Sequence, residues 1–173
     1  MIANVSSTLL YSVGLPVAVA VLTAACTLVL NHLGAAADRR RDRYAQAVQT
    51  LVAWVEFPYR VRRRTDDAPA TLASLADVGH DIQERLACHE AWIATEKPAV
   101  ARKYASVRVA LGEAVGPAVA EAWSLPPVTA PEQMILGNWG PAAASKPLIA
   151  SLQLQIEHRF GLRRLRKPQD VRA

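Results

Sequence analysis

Three residues able to hold metals or move protons recur every four positions: His80, Glu84 and Cys88, with His89 adjacent to the last. On a helix this spacing puts imidazole, carboxylate and thiol on one face, a donor set that suits zinc or a similar transition ion. From His80 to Cys88 is about 12 Å of helix, too far for all three to grip one ion. A pair completed from elsewhere, for instance by His158, is the metal arrangement left, set against a half-exposed polar face with a small buried Cys88. Cys88 and His89 point about 100° apart on a helix and form no nucleophile–base pair unaided.

The chain carries no G-x-S-x-G, no G-x-x-x-x-G-K-[ST] and no G-x-G-x-x-G, which removes the common hydrolase, P-loop and dinucleotide readings. Gly137-Asn138-Trp139-Gly140 reads as a tight turn carrying a buried Trp139 rather than a phosphate cradle. No catalytic, metal or cofactor residue is assigned, and no cofactor is expected. An enzyme with its site near His80, Glu84 and the loop 124–146 is kept as an alternative.

The densest group of functional side chains lies between Trp54 and Arg64, where Trp54, Phe57 and Tyr59 interleave with Arg60, Arg62, Arg63 and Arg64. Aromatics among arginines can stack on bases and neutralise phosphates. They can equally meet lipid, or stack inside a bundle while the arginines pair with Asp66, Asp67 and other acids. Trp54, Tyr59 and the four arginines are therefore candidates for contact with a partner or polyanion. Nucleic acid is not the expected partner, because the basic residues cluster while the stretch from Asp66 to His158 holds 11 acidic against 6 basic residues.

The elements that would position these groups are helical. Tyr44, Val48, Leu51 and Val55 predict a helix over 38–57, with Pro58 expected to end it. Leu72, Leu75, Ile82, Leu86 and Ile93 predict a second over 69–94, with Asp67 as N-cap, Pro69 in the first turn and Gly79 marking a close crossing. A third starts near Pro98 along Val100, Tyr104, Val107, Leu111, Val115, Val119 and Ala122, with a kink or break near Val115 at Gly116-Pro117. Ile149, Leu152, Ile156 and Phe160 predict a fourth over 147–166. Alternating β-branched runs and Asn-Gly turns are missing, so a sheet is not expected. Residues 124–146 form a Pro-rich loop expected to fold back over an antiparallel bundle.

Ahead of these elements, Met1 to Ala37 contains no Asp, Glu, Lys or Arg, and then Arg39, Arg40, Arg41 and Arg43 arrive together. Leu9 to Leu30 would make about 33 Å of helix, enough for a hydrocarbon core of roughly 30 Å. The missing basic n-region and the long apolar run argue against a cleaved signal peptide. The positive-inside bias puts residues 1–8 outside, a transmembrane helix at 9–33 and residues 38–173 in the cytoplasm. The fold class expected is thus all-α: one N-terminal transmembrane helix, then a cytoplasmic bundle of about four helices.

Arg39, Arg40, Arg41 and Arg43, with Arg163, Arg164, Arg166 and Lys167, are the expected membrane-surface residues, meeting anionic headgroups. Sixteen arginines against four lysines suggest a GC-rich bacterial genome, and hence a bacterial plasma membrane. Cys26 and Cys88 make no disulfide framework. Small-residue pairs Gly14/Ala18 and Ala20/Ala24 permit close approach of a second span. The functional expectation is a single-pass membrane protein whose helical domain is an interaction or regulatory module, its partner an unidentified protein or a second copy. A membrane-tethered binder of nucleic acid through Arg60 to Arg64 is the further alternative.

Overall fold

A computed structural model describes residues 15–160, with side chains from residue 24 onward. Four α-helices and one 3-10 turn make up the described residues, with no strand among them: α1 (Leu15–Arg62), α2 (Pro69–Ala94), α3 (Pro98–Ser124), the turn Pro131–Met134 and α4 (Ala142–Glu157). The chain divides into two units, Met1–Arg43 and Tyr44–Ala173.

In the first unit every residue from 24 to 35 is exposed, including Leu28, Val29, Leu30 and Leu33. Among the described residues no helix is long and apolar enough to cross a membrane. The expected span therefore is not shown: of residues 9–33, the first six lie outside the described residues, as do the side chains up to residue 23. Arg39, Arg40, Arg41 and Arg43 are exposed, and Arg41 pairs with Asp38 at 3.1 Å.

The second unit is a helical bundle whose directions follow from a few contacts. Between α1 and α2, Phe57 lies against Gly79, Thr50 meets His89, and the Tyr44 and Trp92 rings are 4.9 Å apart. Numbers rise on one helix as they fall on the other, so the pair is antiparallel. Trp54 packs at Gly112 and Arg64 reaches the Ala122 carbonyl, which sets α3 parallel to α1. Ala142 N–H donates to the Tyr59 hydroxyl while the Tyr44 and Phe160 rings stand 5.9 Å apart, so α4 runs antiparallel to α1. The result is an up-down-up-down bundle. Its core is built from the expected stripes, with Leu51, Leu111, Ala122 and Leu152 wholly buried. Leu72 and Leu75 are only half-buried, and on α3 Ala118 goes inward where Val119 is half-buried.

Several boundaries differ from expectation. α1 does not stop before Pro58 but runs to Arg62, because Phe57, Tyr59 and Val61 all bury side chains and their packing outweighs the hydrogen bond the proline removes. α3 continues through Pro117 to Ser124. That proline is exposed, so the freed Glu113 carbonyl faces water, while Val115, Ala118 and Ala122 hold the inner face. α4 begins at Ala142 rather than near Pro147, its first turn fixed by the Tyr59 hydroxyl and by Ser145 Oγ donating to the Pro141 carbonyl at 2.6 Å. It ends at Glu157, and Arg163, Arg164, Arg166 and Lys167 lie outside the described residues.

Asp67 does not cap α2. The N-cap is Ala68, whose N–H is taken by Asp66 at 3.0 Å, while Asp67 pairs with Arg64. Gly79 is the expected close crossing: a Cβ there would come within 2.9 Å of Phe57 Cζ.

Candidate functional site

Two concave surfaces of the bundle bring polar side chains together. The first is a groove of about 620 Å³ along the α1/α2 seam, lined by Gln46, Gln49, Thr50 and Ala53 from one helix and by Asp81, Ile82, Glu84, Arg85, Cys88 and His89 from the other. At its floor the buried Thr50 hydroxyl donates to the Gln46 carbonyl at 2.9 Å, and His89 Nε2 lies 3.1 Å from Thr50 Oγ1. Since the hydroxyl proton is committed to the carbonyl, Nε2 is the donor to Thr50, which leaves Nδ1 as an acceptor. Burial, and then the nearby Arg85 charge, hold the His89 pKa below its ordinary value, so the ring is neutral near pH 7.

The structure brings Glu84, Cys88 and His89 to this groove but leaves His80 exposed and outside its lining. Cys88 is exposed at the rim, not a small buried residue, because the α2 stripe turns Leu86 inward and the next two residues away. His158 is at the C-cap of α4, with Nδ1 buried and without a hydrogen-bond partner among the described residues. Among the described residues no group of three His, Cys, Asp or Glu side chains could hold a metal ion.

The second surface is built by the end of α1, and here the arginine run divides its labour. Arg64 turns inward with 4% of its side chain exposed and pairs with Asp67 at 2.6 Å. Its guanidinium also donates to the carbonyls of Ala122 at 2.8 Å and Leu125 at 2.5 Å, with Trp123 O at 3.4 Å. Those are the last carbonyls of α3 and the first beyond it, which have no partner within the helix. One planar fork with five N–H groups thus caps a helix from outside. Arg62 donates to the Pro126 carbonyl at 3.3 Å, Arg63 to Met134 O at 3.2 Å, and the Arg64 carbonyl accepts from Val128 N–H at 2.8 Å.

These bonds pin residues 125–141 to the end of α1. Trp139 completes the attachment, standing edge-on to Tyr59 at 5.4 Å and donating Nε1–H to Glu121 at 3.0 Å. Gly140 adopts φ +88°, and a Cβ there would fall 2.6 Å from Tyr59 Cζ, so only glycine fits. Of the six residues expected to meet a partner, Trp54 packs at Gly112, Tyr59 and Arg64 are buried, and Arg62 is half-buried. Arg60 and Arg63 face solvent.

Those two line a recess of about 440 Å³ with Arg64, Thr65, Ala70, Thr71, Ser74 and Leu75. Asp66 is at its edge, its carboxyl held below the usual range by a hydrogen bond from Thr71, by the Ala68 N–H and by Thr65.

At the opposite end of the bundle Tyr44 donates to Glu96 at 3.2 Å, and Arg159 stands 3.6 Å from the same carboxylate. Burial first, and the Glu96 charge second, push the Tyr44 pKa up to about 12. Burial alone does the same to Tyr104, whose hydroxyl has no hydrogen-bond partner among the described residues. Neither Thr50 nor the Glu96–Arg159 pair stands out in the sequence. The one available signal for Thr50 is a polar residue between Val48 and Leu51 on an apolar face. Comparison with protein families, with curated proteins and with solved structures finds no match to this chain.

Proposed function

We propose that the chain is a single-pass membrane protein, N-terminus outside and residues 38–173 in the cytoplasm, whose helical bundle acts as an interaction or regulatory module at the membrane. The observation that carries the reading is the exposure of Leu28, Val29, Leu30 and Leu33, from 57% to 70%, within a stretch that holds no charged residue before Asp38. Three consecutive apolar residues span about 200° of a helix, so the exposed surface is apolar on more than one side, which water disfavours and lipid accepts. The four arginines that follow suit the anionic inner leaflet. Regulation or interaction is preferred to catalysis because the interhelical groove holds one neutral imidazole and a thiol without a nucleophile–base contact.

Fractionation of the full chain tests the anchor. Retention in the membrane pellet after alkaline carbonate, with a reporter at Ala173 active only in the cytoplasm, is the expected outcome. Release into the soluble fraction, or an extracytoplasmic reporter, refutes it. The module reading expects a defined protein companion, or a second copy, cross-linked to the full chain in intact cells. Recovery of uncross-linked monomer alone refutes that part.

A further inference from the structure

We propose that the recess at the end of α1 is a binding site for a phosphate monoester, held by Arg60 and Arg63 and by the Ser74 hydroxyl on α2. The reading is independent of the membrane proposal, since every residue involved belongs to the bundle unit. Arg60 is in the last turn of α1 and Arg63 is the first residue beyond it, both are exposed, and among the described residues neither is ion-paired to a carboxylate. Arg63 is steadied from behind by the Met134 carbonyl and by the Tyr59 ring, 5.9 Å from its guanidinium. Its fork is thereby held at the recess with part of its ordering entropy already lost.

Across from the arginines stand Ser74, whose hydroxyl can turn to a ligand, and Thr71, whose hydroxyl is committed to Asp66. Pro69 has no N–H and Leu72 N–H donates to the Ala68 carbonyl, so it is the Ala70 and Thr71 N–H groups that have no intrahelical acceptor and add a partial positive charge to the same wall. Two guanidiniums, one hydroxyl donor and two oriented N–H groups are complementary to a compact oxyanion. Arg64, which also borders the recess, adds little, because its charge is answered by Asp67 and four carbonyls.

Asp66 sets the charge the ligand must bring. Its carboxylate is engaged by Thr71, Thr65 and the Ala68 N–H at the start of α2, so it offsets one of the two arginines. A singly charged carboxylate ligand would find a site only weakly positive and a neighbour of its own sign. A phosphate monoester, with close to two negative charges at neutral pH, engages both guanidiniums and outweighs that repulsion. The recess of about 440 Å³ is open enough for the glycerol or sugar that carries the phosphate. The same chemistry is offered by a soluble phosphorylated metabolite and by a lipid headgroup ending in a monoester.

The test uses the full chain in mild detergent, with glycerol 3-phosphate and inorganic phosphate as soluble probes. Phosphatidylcholine vesicles with and without phosphatidic acid are the lipid probes. Saturable binding is expected to weaken at least about tenfold in Arg60→Gln and in Arg63→Gln, and to tighten severalfold in Asp66→Asn. Arg102→Gln, which removes an exposed charge near the other end of the bundle, is expected to leave binding unchanged. Preference for phosphatidic acid vesicles without uptake of the soluble probes, lost in Arg60→Gln, identifies the ligand as lipid and keeps the site. No saturable binding of any probe overturns the proposal, as does equal weakening by Arg102→Gln or indifference to Arg60→Gln. Among the described residues Arg60 makes no side-chain hydrogen bond or ion pair, so its variant keeps the test readable if Arg63→Gln loosens the loop.

Discussion

Arg64 is the residue whose role least resembles its appearance in the sequence. It ends a run of four arginines in five positions, yet its neighbours are exposed or half-exposed and it is not. Nothing local separates it from Arg60 or Arg63. Its burial depends on α3 ending beside it with unpaired carbonyls, a fact set some sixty residues away. Arg64→Ala removes the charge and leaves those carbonyls unpaired in the interior. A loss of about 3 kcal/mol or more in denaturant unfolding is expected. Arg64→Lys is expected to recover only part, since an ammonium has no fork to span several carbonyls.

Tyr104 supplies the opposite case, a buried hydroxyl with nothing to bond among the described residues. Tyr104→Phe is expected to leave stability at neutral pH unchanged or raised by about 1 kcal/mol. The two raised tyrosine pKa values also give the fold an alkaline limit. Folded values near 12 stand above the unfolded value of 10.0, so the native state holds the protons longer. The stabilisation is whole below pH 10 and drains away as pH rises from there through about 12. Two pKa units correspond to at most about 3 kcal/mol for each tyrosine. Unfolding curves across that window are expected to be flatter in Tyr104→Phe than in the wild type.

At the scale of elements, the stripes on all four helices were legible because 3.6-residue periodicity is a direct record of which face meets the core. Helix ends were less so. Pro58 and Pro117 read locally as terminators, but the buried Tyr59 and Val61 beyond one, and Ala118 and Ala122 beyond the other, carry the helices through. Pro141 at the N-cap started α4 earlier than Pro147 suggested. Of the candidate site, the arginine–aromatic segment was visible as a cluster. Its division into clamping and solvent-facing arginines was not, because that division is made by the loop it holds.

Gly79 was legible and its reason is now specific, a Phe57 ring in the space a methyl would need. Gly79→Ala is expected to destabilise by about 1–2 kcal/mol in thermal or chemical unfolding, the steric cost exceeding the gain in helix propensity. The combination Gly79→Ala with Phe57→Leu is expected to be more stable than additivity of the two single changes allows, because the smaller side chain vacates the contact.

Within the bundle, the short stretch formed by the end of α1 and the two residues after it touches every other helix. Phe57 meets α2, Arg64 meets the end of α3, and Tyr59 receives the first turn of α4. Ties that share so few residues act together. Tyr59→Phe alone is expected to cost about 1 kcal/mol by stranding the Ala142 N–H. With Arg64→Ala the double-mutant cycle is expected to depart from additivity by 0.5 kcal/mol or more, the order found for residues of one network. Strict additivity would mean that the two attachments of the loop are separate.

The Tyr59–Ala142 bond also joins residues 83 positions apart. A ribosome adding about 5–20 residues each second delivers Ala142 roughly 4–17 s after Tyr59. During that interval the aromatic and valine side chains at the end of α1 have emerged without the segment that finally covers them. For those seconds the nascent chain displays an apolar, arginine-flanked surface to whatever waits at the exit tunnel, and its shielding there belongs to the cell rather than to its own sequence.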